Sequence, residues 1–287
     1  MNIINSLFIR LTLCLMMLSP WAIADTTPDA NTGIELRNAA SDGNIEKVKE
    51  LLQKKVDVDA ANEFGITPLM LAAEANHIEI AALLMANGAN VNARSRDGLT
   101  ALIYAVEEGH SEISAMLVEM GANVHDRTSK GWNALMIAAK NGYAVIVAQL
   151  IEFNADLRTS DNKGNTALMY AVDKGHIDVV KTIFKYNDFH ALCLPNKAGE
   201  TPLMRAVEKD NAKLVKELLW HNKTGVNKQD KLGETALMIA AEKGATEIVS
   251  LLLYNDADIN LKNTDGKTAL DLAKETNHLE VVKLLEK

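Results

Sequence analysis

The sequence predicts an all-α repeat fold, in which one short two-helix unit recurs along most of the chain. The first observation is a triplet, Thr-Pro-Leu or Thr-Ala-Leu, that returns every 33 to 35 residues. It begins at Thr67, Thr100, Thr166, Thr201, Thr235 and Thr268, and Asn133-Ala134-Leu135 fills the remaining place. The second observation is a glycine two residues before every triplet: Gly65, Gly98, Gly131, Gly164, Gly199, Gly233 and Gly266. The third is an alanine five residues after the start of each triplet: Ala72, Ala105, Ala138, Ala171, Ala206, Ala240 and Ala273.

Each column has a mechanical role in starting, burying or ending a helix. Glycine adopts the positive φ of a tight turn without strain, and the Thr or Asn after it is a preferred N-cap. Pro68 and Pro202 follow two of these caps at the first helical position, where the missing N–H is harmless. The leucine and alanine columns bury one face of this first helix. A second column predicts its end, because Gly, Asn and Asp tolerate a left-handed backbone: Gly109, Gly142, Gly175, Gly244, Asn76, Asp210 and Asn277.

A second helix follows in each copy, as in Ile78–Leu84 and Ile248–Leu253, and an extended finger then leads to the next triplet. A first copy without the triplet is predicted from helices at Ile34–Ser41 and Ile45–Leu52, which makes eight repeats. The last copy has Asp271 at a position where its neighbours have an apolar residue. The first copy has Ile34-Glu35-Leu36 where the triplet would stand. Polar residues at such positions in the first and last copies suit capping repeats, which face water on one side. The predicted repeats start near residues 34, 67, 100, 133, 166, 201, 235 and 268.

With these columns the chain resembles the ankyrin repeat family over residues 33–287. The resemblance implies an all-α repeat solenoid of about eight stacked ankyrin repeats, each a helix–turn–helix with a β-finger. The family usually has a histidine after the leucine of the triplet, whereas this chain has Met70, Ile103, Met136, Met169, Met204 and Met238. We expect these side chains to fill the interfaces between repeats, because methionine adapts to irregular gaps. A methionine stripe that binds soft metals or scavenges oxidants is the alternative.

Residues 1–24 have the pattern of a cleaved secretory signal peptide. Arg10 and the amino terminus supply positive charge, an apolar run follows over Leu11–Leu18, and Ala22-Ile23-Ala24 predicts cleavage after Ala24. The apolar run is shorter than the ~20 residues of a membrane span, which argues against an uncleaved anchor. A lipoprotein anchored on Cys14 is a second alternative, disfavoured by the residues before that cysteine. We therefore expect an exported protein, periplasmic or secreted, without a membrane span after cleavage.

The mature chain is expected to begin with a flexible leader over residues 25–32, followed by one ankyrin repeat domain over residues 33–287. Removal of the signal leaves Cys193 as the only cysteine, so no disulfide can form within the chain. Asn222-Lys223-Thr224 matches a glycosylation sequon, but a three-residue match is weak evidence. The low cysteine content suits a bacterial periplasm better than a eukaryotic secretory route. We therefore expect a bacterial-type, exported member of the family.

The composition narrows the functional class. The 287 residues are 48% apolar, which is sufficient for a core, and the net charge of −8 argues against nucleic acid as a partner. No nucleophile elbow, phosphate-binding glycine loop or His-Glu-x-x-His helix occurs, so we expect a non-enzymatic protein without catalytic residues, cofactor or metal. A metal or redox site at His190 and Cys193 is the alternative. Four histidines follow a helix-ending Gly or Asn and are predicted to be structural: His77, His110, His176 and His278.

The resemblance implies that a partner protein binds through the fingers and the concave face of the inner helices. Trp132 and Tyr104 are predicted to anchor a groove over the second to fifth repeats, since aromatic residues are common hot spots. The partner could be an envelope protein or, for an exported effector, a host protein, and the module is expected to be a monomer. The full predicted set is Phe64, Arg94, Arg96, Leu99, Tyr104, Glu107, Arg127, Lys130, Trp132, Ile137 and Tyr170.

Two junctions between repeats carry extra residues, Asn187–Glu200 and His221–Val226. They are predicted to be tolerated loops, because insertions collect in connections. A local change in the curvature of the solenoid is the alternative.

Overall fold

The computed structural model describes residues 30–186, 194–221 and 225–286. These residues fall into two compact units, within residues 1–123 and 124–287, and each unit is built from pairs of short helices. The described ranges contain sixteen α-helices, which is the all-α repeat solenoid predicted from the sequence, with eight helix pairs.

The first unit contains three helix pairs. The first helices of the three pairs pack side by side, and so do the second helices, which gives two layers. We call them the first-helix layer and the second-helix layer. The helices are α1 (Ala30–Ser41), α2 (Ile45–Gln53), α3 (Pro68–Glu74), α4 (Ile78–Ala86), α5 (Ala101–Glu107) and α6 (Ser111–Glu119).

The second unit repeats this arrangement with five helix pairs. Its first helices are the odd-numbered ones, and each packs against the next odd-numbered helix. The even-numbered helices form the second-helix layer in the same way. The helices are α7 (Ala134–Asn141), α8 (Ala144–Glu152), α9 (Ala167–Lys174), α10 (Ile177–Lys185), α11 (Pro202–Glu208), α12 (Ala212–His221), α13 (Ala236–Lys243), α14 (Thr246–Tyr254), α15 (Ala269–Glu275) and α16 (Leu279–Leu285).

The predicted N-caps are confirmed in all seven repeats that carry the triplet. At α7, for example, Asn133 Oδ1 accepts the backbone N–H of Met136 over 2.9 Å. In α3 the sulfur of Met70 accepts the backbone N–H of Thr67 in return, over 3.4 Å. The methionine therefore takes the place of the polar acceptor that closes a capping box.

The predicted helix ends are also confirmed. Gly142, which follows α7, has φ +84°, and Asn76, which replaces glycine after α3, has φ +59°. Three of the predicted structural histidines then bind the preceding first helix, because Nε2 of each lies close to a carbonyl oxygen at its end. The pairs are His77 with Ser41 (3.0 Å), His110 with Glu74 (2.9 Å) and His176 with Lys140 (2.9 Å).

The column after the triplet leucine lies in the core, as expected for gap-filling side chains. Met70, Met136 and Met169 have no exposed surface, and the other members are nearly as buried. A methionine stripe open to metals or oxidants is therefore the wrong reading of this column. The leucine of the triplet is buried in every repeat except the last, where Leu270 is half-buried. This exception fits a capping repeat.

Some boundaries differ from those predicted. Helix α1 begins at Ala30, so the last three residues of the predicted leader are helical. The signal peptide, the rest of the leader, His190 and Cys193 lie outside the described residues. In the described ranges no helix is long and apolar enough to cross a membrane. The fingers of the described residues contain no strand, and their only β-type pairing is an isolated bridge between Ser160 and Thr166.

Candidate partner-binding surface

The fingers are tight hairpins, each closed by a polar side chain that the sequence interpretation missed. In the finger before α3, the backbone N–H of Asn62 donates to the carbonyl of Ile66 over 3.1 Å. Asn62 Oδ1 also accepts the N–H groups of Phe64 (2.9 Å) and Ile66 (3.0 Å). The signal was present, because an Asn, Asp, Ser or Thr stands three residues before every turn glycine. The column is Asn62, Ser95, Thr128, Asp161, Asn196, Asp230 and Asn263.

Backbone hydrogen bonds join most of the consecutive fingers within each unit. In the first unit the N–H of Arg96 donates to the carbonyl of Phe64 over 2.8 Å. In the second unit Lys197 donates to Lys163 (3.0 Å), Lys231 to Ala198 (3.1 Å) and Thr264 to Leu232 (2.9 Å). The finger tips of each unit are therefore fixed relative to one another, and side chains at equivalent positions form rows.

The predicted site residues of the first unit combine an apolar finger tip with charges of both signs. Phe64 is 56% exposed, and Arg94 and Arg96 are exposed on the next finger. Leu99 and Tyr104 are half-buried below the fingers, and Glu107 at the end of α5 is exposed.

Carboxylates surround Tyr104. Burial raises the pKa of its phenol, and the negative charges of Glu74 and Glu107 raise it further. Burial also raises the pKa of Glu74, and Glu108 and Glu107 add to the effect. This part of the first-helix layer is therefore acidic, whereas the finger above it carries the two arginines.

In the second unit Trp132 and Tyr170 form an aromatic pair. Their ring centroids are 4.5 Å apart, with an interplanar angle of 48°. Lys140 Nζ lies 4.8 Å from the centroid of the Trp132 ring, within the range of a cation–π interaction. Both aromatic side chains are half-buried, so part of each remains accessible to a partner.

The other three predicted residues of this unit differ in what they offer a partner. Arg127 donates through Nε to the carbonyl of Gly131 over 3.0 Å, and its guanidinium also donates to the carbonyl of Ser160. Arg127 therefore holds two fingers together, and its side chain is also exposed to a partner. Lys130 is exposed at the finger tip. Ile137 is only 6% exposed and belongs to the core, which corrects its placement on the binding surface.

Arg205 is a half-buried charge that the predicted set left out. Its Nη1 donates to Asp173 Oδ2 over 2.5 Å, and its Nη2 donates to Asn165 Oδ1 over 2.8 Å and to Glu200 Oε2 over 3.0 Å. The side chain is 18% exposed, so these bonds replace most of its hydration. The signal was an arginine in a helical column that otherwise holds Leu71, Tyr104, Ile137 and Tyr170.

The described ranges contain no group of three or more His, Cys, Asp or Glu residues placed to hold a metal ion. The alternative of a metal or redox site at His190 and Cys193 falls outside these ranges.

A family model for ankyrin repeats (three copies) matches residues 36–128, 120–193 and 203–287. The chain belongs to the ankyrin repeat family. Many chains of solved structures match this ankyrin repeat protein. One is the ankyrin repeat domain of Bcl-3, a member of the IkappaB protein family, with a TM-score of 0.71 and 26% sequence identity. The match covers 78% of this chain and 100% of the Bcl-3 domain. A search of curated proteins gave no match. The ankyrin repeat fold is a protein-interaction scaffold, and this chain is a protein-interaction module.

Proposed function

We propose that the protein is a non-enzymatic module that binds a partner protein on its first-helix layer and finger tips. Binding would sequester, inhibit, scaffold or protect the partner, in the periplasm or after secretion. Trp132 in one unit and Tyr104 in the other are the proposed anchors.

The observation that supports this proposal most strongly is the group formed by Trp132, Tyr170 and Lys140. Partly accessible aromatic side chains are the commonest hot spots of protein interfaces. The Tyr170 hydroxyl is already bound to Asp161 over 2.6 Å, and Lys140 lies over the indole ring. Because neighbouring groups already hold these side chains, Trp132 and Tyr170 would lose little rotamer freedom when a partner binds them.

The charges around the two anchors differ, which gives a basis for specificity. Tyr104 lies among the carboxylates of Glu74 and Glu107, whereas Trp132 lies beside Lys140. A partner suited to this module would therefore present basic groups to the surroundings of Tyr104 and acidic groups to the surroundings of Trp132. Charges of this kind select the partner and speed association more than they add to affinity.

Capture of the partner from a bacterial envelope fraction, with the purified chain as bait, tests the proposal. Titration calorimetry then compares the wild-type chain with Trp132→Ala and Tyr104→Ala. Each variant is expected to weaken binding by at least about tenfold, the usual loss at an aromatic hot spot. Phe153→Ala is the matched control, because Phe153 is an exposed aromatic residue at the end of α8 in the second-helix layer. Unchanged affinity in both anchor variants would contradict the proposed surface.

Export is a separate part of the proposal. Amino-terminal sequencing of the protein from fractionated cells is expected to give a chain that begins at Asp25 in the periplasm or medium. A full-length chain in the cytoplasm would contradict export and would leave the proposed interaction surface intact.

A further inference from the structure

The second-helix layer of the second unit carries the most exposed large aromatic side chains of the described residues. Trp220, in the last turn of α12, is 80% exposed. Tyr254 occupies the equivalent position at the end of α14, the next helix of this layer, and is 83% exposed. Large apolar side chains in water at neighbouring positions are typical of an interaction site. This layer was not part of the predicted binding surface.

A groove of about 430 Å³ lies next to Trp220, between α10 and α12. Ile177 and Trp220 give it apolar surface, and Lys181, Lys213 and Lys216 line it with ammonium groups. Glu217 and His221 complete the lining, so three lysines stand against one carboxylate, which lies beside the His221 ring. All three lysines are exposed, and none forms an ion pair with a carboxylate of the described residues. In a chain with a net charge of −8, this groove is a local basic surface.

The helix end that bears Trp220 is firmly held. Leu218 and Leu219, just before it, are buried in the core. The ring of His221, just after it, packs on Phe184 of α10 with centroids 4.3 Å apart, and its Nε2 lies 3.4 Å from Glu217 Oε1. The exposure of Trp220 therefore belongs to a fixed helix and does not result from fraying. A large aromatic side chain carried by a fixed helix beside a groove is a suitable anchor for a ligand.

We propose that this groove binds an acidic segment of a partner protein that also carries an apolar side chain. The three lysines would pair with its carboxylates, and its apolar side chain would pack between Ile177 and Trp220. This combines recognition of an acidic motif by a basic cluster with docking in a helix groove. An anionic bilayer is a poorer occupant, because its wide surface would also meet the exposed carboxylates of Asp178 and Glu247 in the same layer, whereas a short segment need contact only the groove.

The groove lies in the second-helix layer, whereas Trp132 lies on a finger and Tyr104 in the first-helix layer, so the two proposals fail separately. Random short peptides displayed on phage are selected on the full chain. Peptides that also bind a chain carrying Trp220→Ala, Lys213→Glu and Lys216→Glu are then removed. The surviving peptides are expected to be rich in Asp and Glu with at least one aromatic or aliphatic residue. Survivors without acidic enrichment, or no survivors, would overturn the proposal.

The best surviving peptide is then synthesised and its affinity measured by fluorescence anisotropy. Trp220→Ala, and separately Lys213→Glu with Lys216→Glu, are each expected to weaken binding at least tenfold, and added salt is expected to weaken it in the wild type. Lys228→Glu with Lys231→Glu makes the same charge change on two exposed finger lysines of the same unit and is expected to leave affinity within twofold. Equal losses in both double variants would overturn the proposal, because only the net charge would then matter.

Two further measurements exclude other occupants. Flotation with vesicles of phosphatidylglycerol and phosphatidylcholine is expected to show no Trp220-dependent binding, and sedimentation is expected to show the same mass for the wild type and Trp220→Ala. Trp220-dependent vesicle binding would make the groove a lipid contact, and a larger wild-type mass would make it a contact between two copies. Either result would overturn the proposal.

Discussion

The hydroxyl of Tyr170 donates a hydrogen bond of 2.6 Å to Oδ2 of Asp161 and so connects helix α9 to the finger that precedes it. Asp161 is only 6% exposed. Its Oδ1 also accepts the backbone N–H groups of Lys163 (2.8 Å) and Asn165 (2.7 Å). One carboxylate therefore closes the finger turn and orients the aromatic ring that packs on Trp132. Stability and the geometry of the proposed anchor thus depend on the same group.

Tyr170→Phe is expected to lower the free energy of unfolding by about 2 kcal/mol, the usual value for a hydrogen bond to a charged group. The ring and its packing on Trp132 remain, so the change isolates the hydroxyl. Urea denaturation followed by circular dichroism gives the value. Tyr254→Phe removes a hydroxyl from an exposed side chain and should change the free energy of unfolding little. Equal small effects in both variants would show that the Asp161 hydrogen bond contributes no net stability.

The same pair predicts a dependence on pH. Burial alone would raise the pKa of Asp161, but the hydrogen bonds from Tyr170, Asn165 and Lys163 hold it below its ordinary value. A carboxyl group whose pKa is lowered by folding contributes stability that is complete above its unfolded pKa of about 3.9. That stability is lost as the pH falls through the folded pKa.

The difference in unfolding free energy between the wild type and Tyr170→Phe should therefore shrink as the pH is lowered from 6 towards 2. Urea denaturation of both chains at several pH values in this range measures it, with Tyr254→Phe as the control. A difference that stays constant with pH would mean that the hydroxyl does not stabilise the charged form of Asp161.

The parts of the fold that follow a repeated column of residues were predictable, and the contacts of a residue that departs from its column were not. Asn133 caps α7 through an N–H only three residues away, so the sequence pattern was sufficient. Asp173, a partner of Arg205, comes from the preceding repeat, and no spacing within one repeat indicates it.

Prediction of the binding surface from the sequence was limited in a similar way. Ile137 shares its helical column with Tyr104 and Tyr170, so the pattern placed all three at the groove. A column fixes the face of a helix but not the reach of the side chain, and the shorter isoleucine remains in the core while the two tyrosines extend to the surface. The groove beside Trp220 was not predicted, because it is formed where two helices pack together and no repeated column of residues marks it.

The N-cap column makes a third prediction. Thr235→Ala is expected to cost about 1 kcal/mol, because the buried N–H of Met238 then loses Thr235 Oγ1, the acceptor of its 3.2 Å hydrogen bond. Thr264→Ala is the matched control, since Thr264 is exposed on a finger and its own bond to Leu232 uses only the backbone. Urea denaturation of both variants checks the difference, and equal costs would contradict the capping role.

The last prediction concerns the glycine that ends α7. Gly142 has φ +84°, and a methyl group added there would lie 2.7 Å from Nδ1 of His176. The imidazole cannot easily retreat, because its Nε2 is bound to the carbonyl of Lys140 over 2.9 Å. Gly266 has a similar φ of +77° but nothing within 4 Å of such a methyl group. Gly266→Ala should therefore cost only the left-handed strain of about 1 kcal/mol.

Gly142→Ala should cost that strain and about 1–3 kcal/mol more for the crowded ring. Urea denaturation compares the two variants, and His176→Ala completes a double-mutant cycle. Because the clash is between these two side chains, His176→Ala should destabilise the Gly142→Ala chain less than it destabilises the wild type. Additive effects, or equal costs at Gly142 and Gly266, would mean that the His176 ring does not crowd the added methyl group.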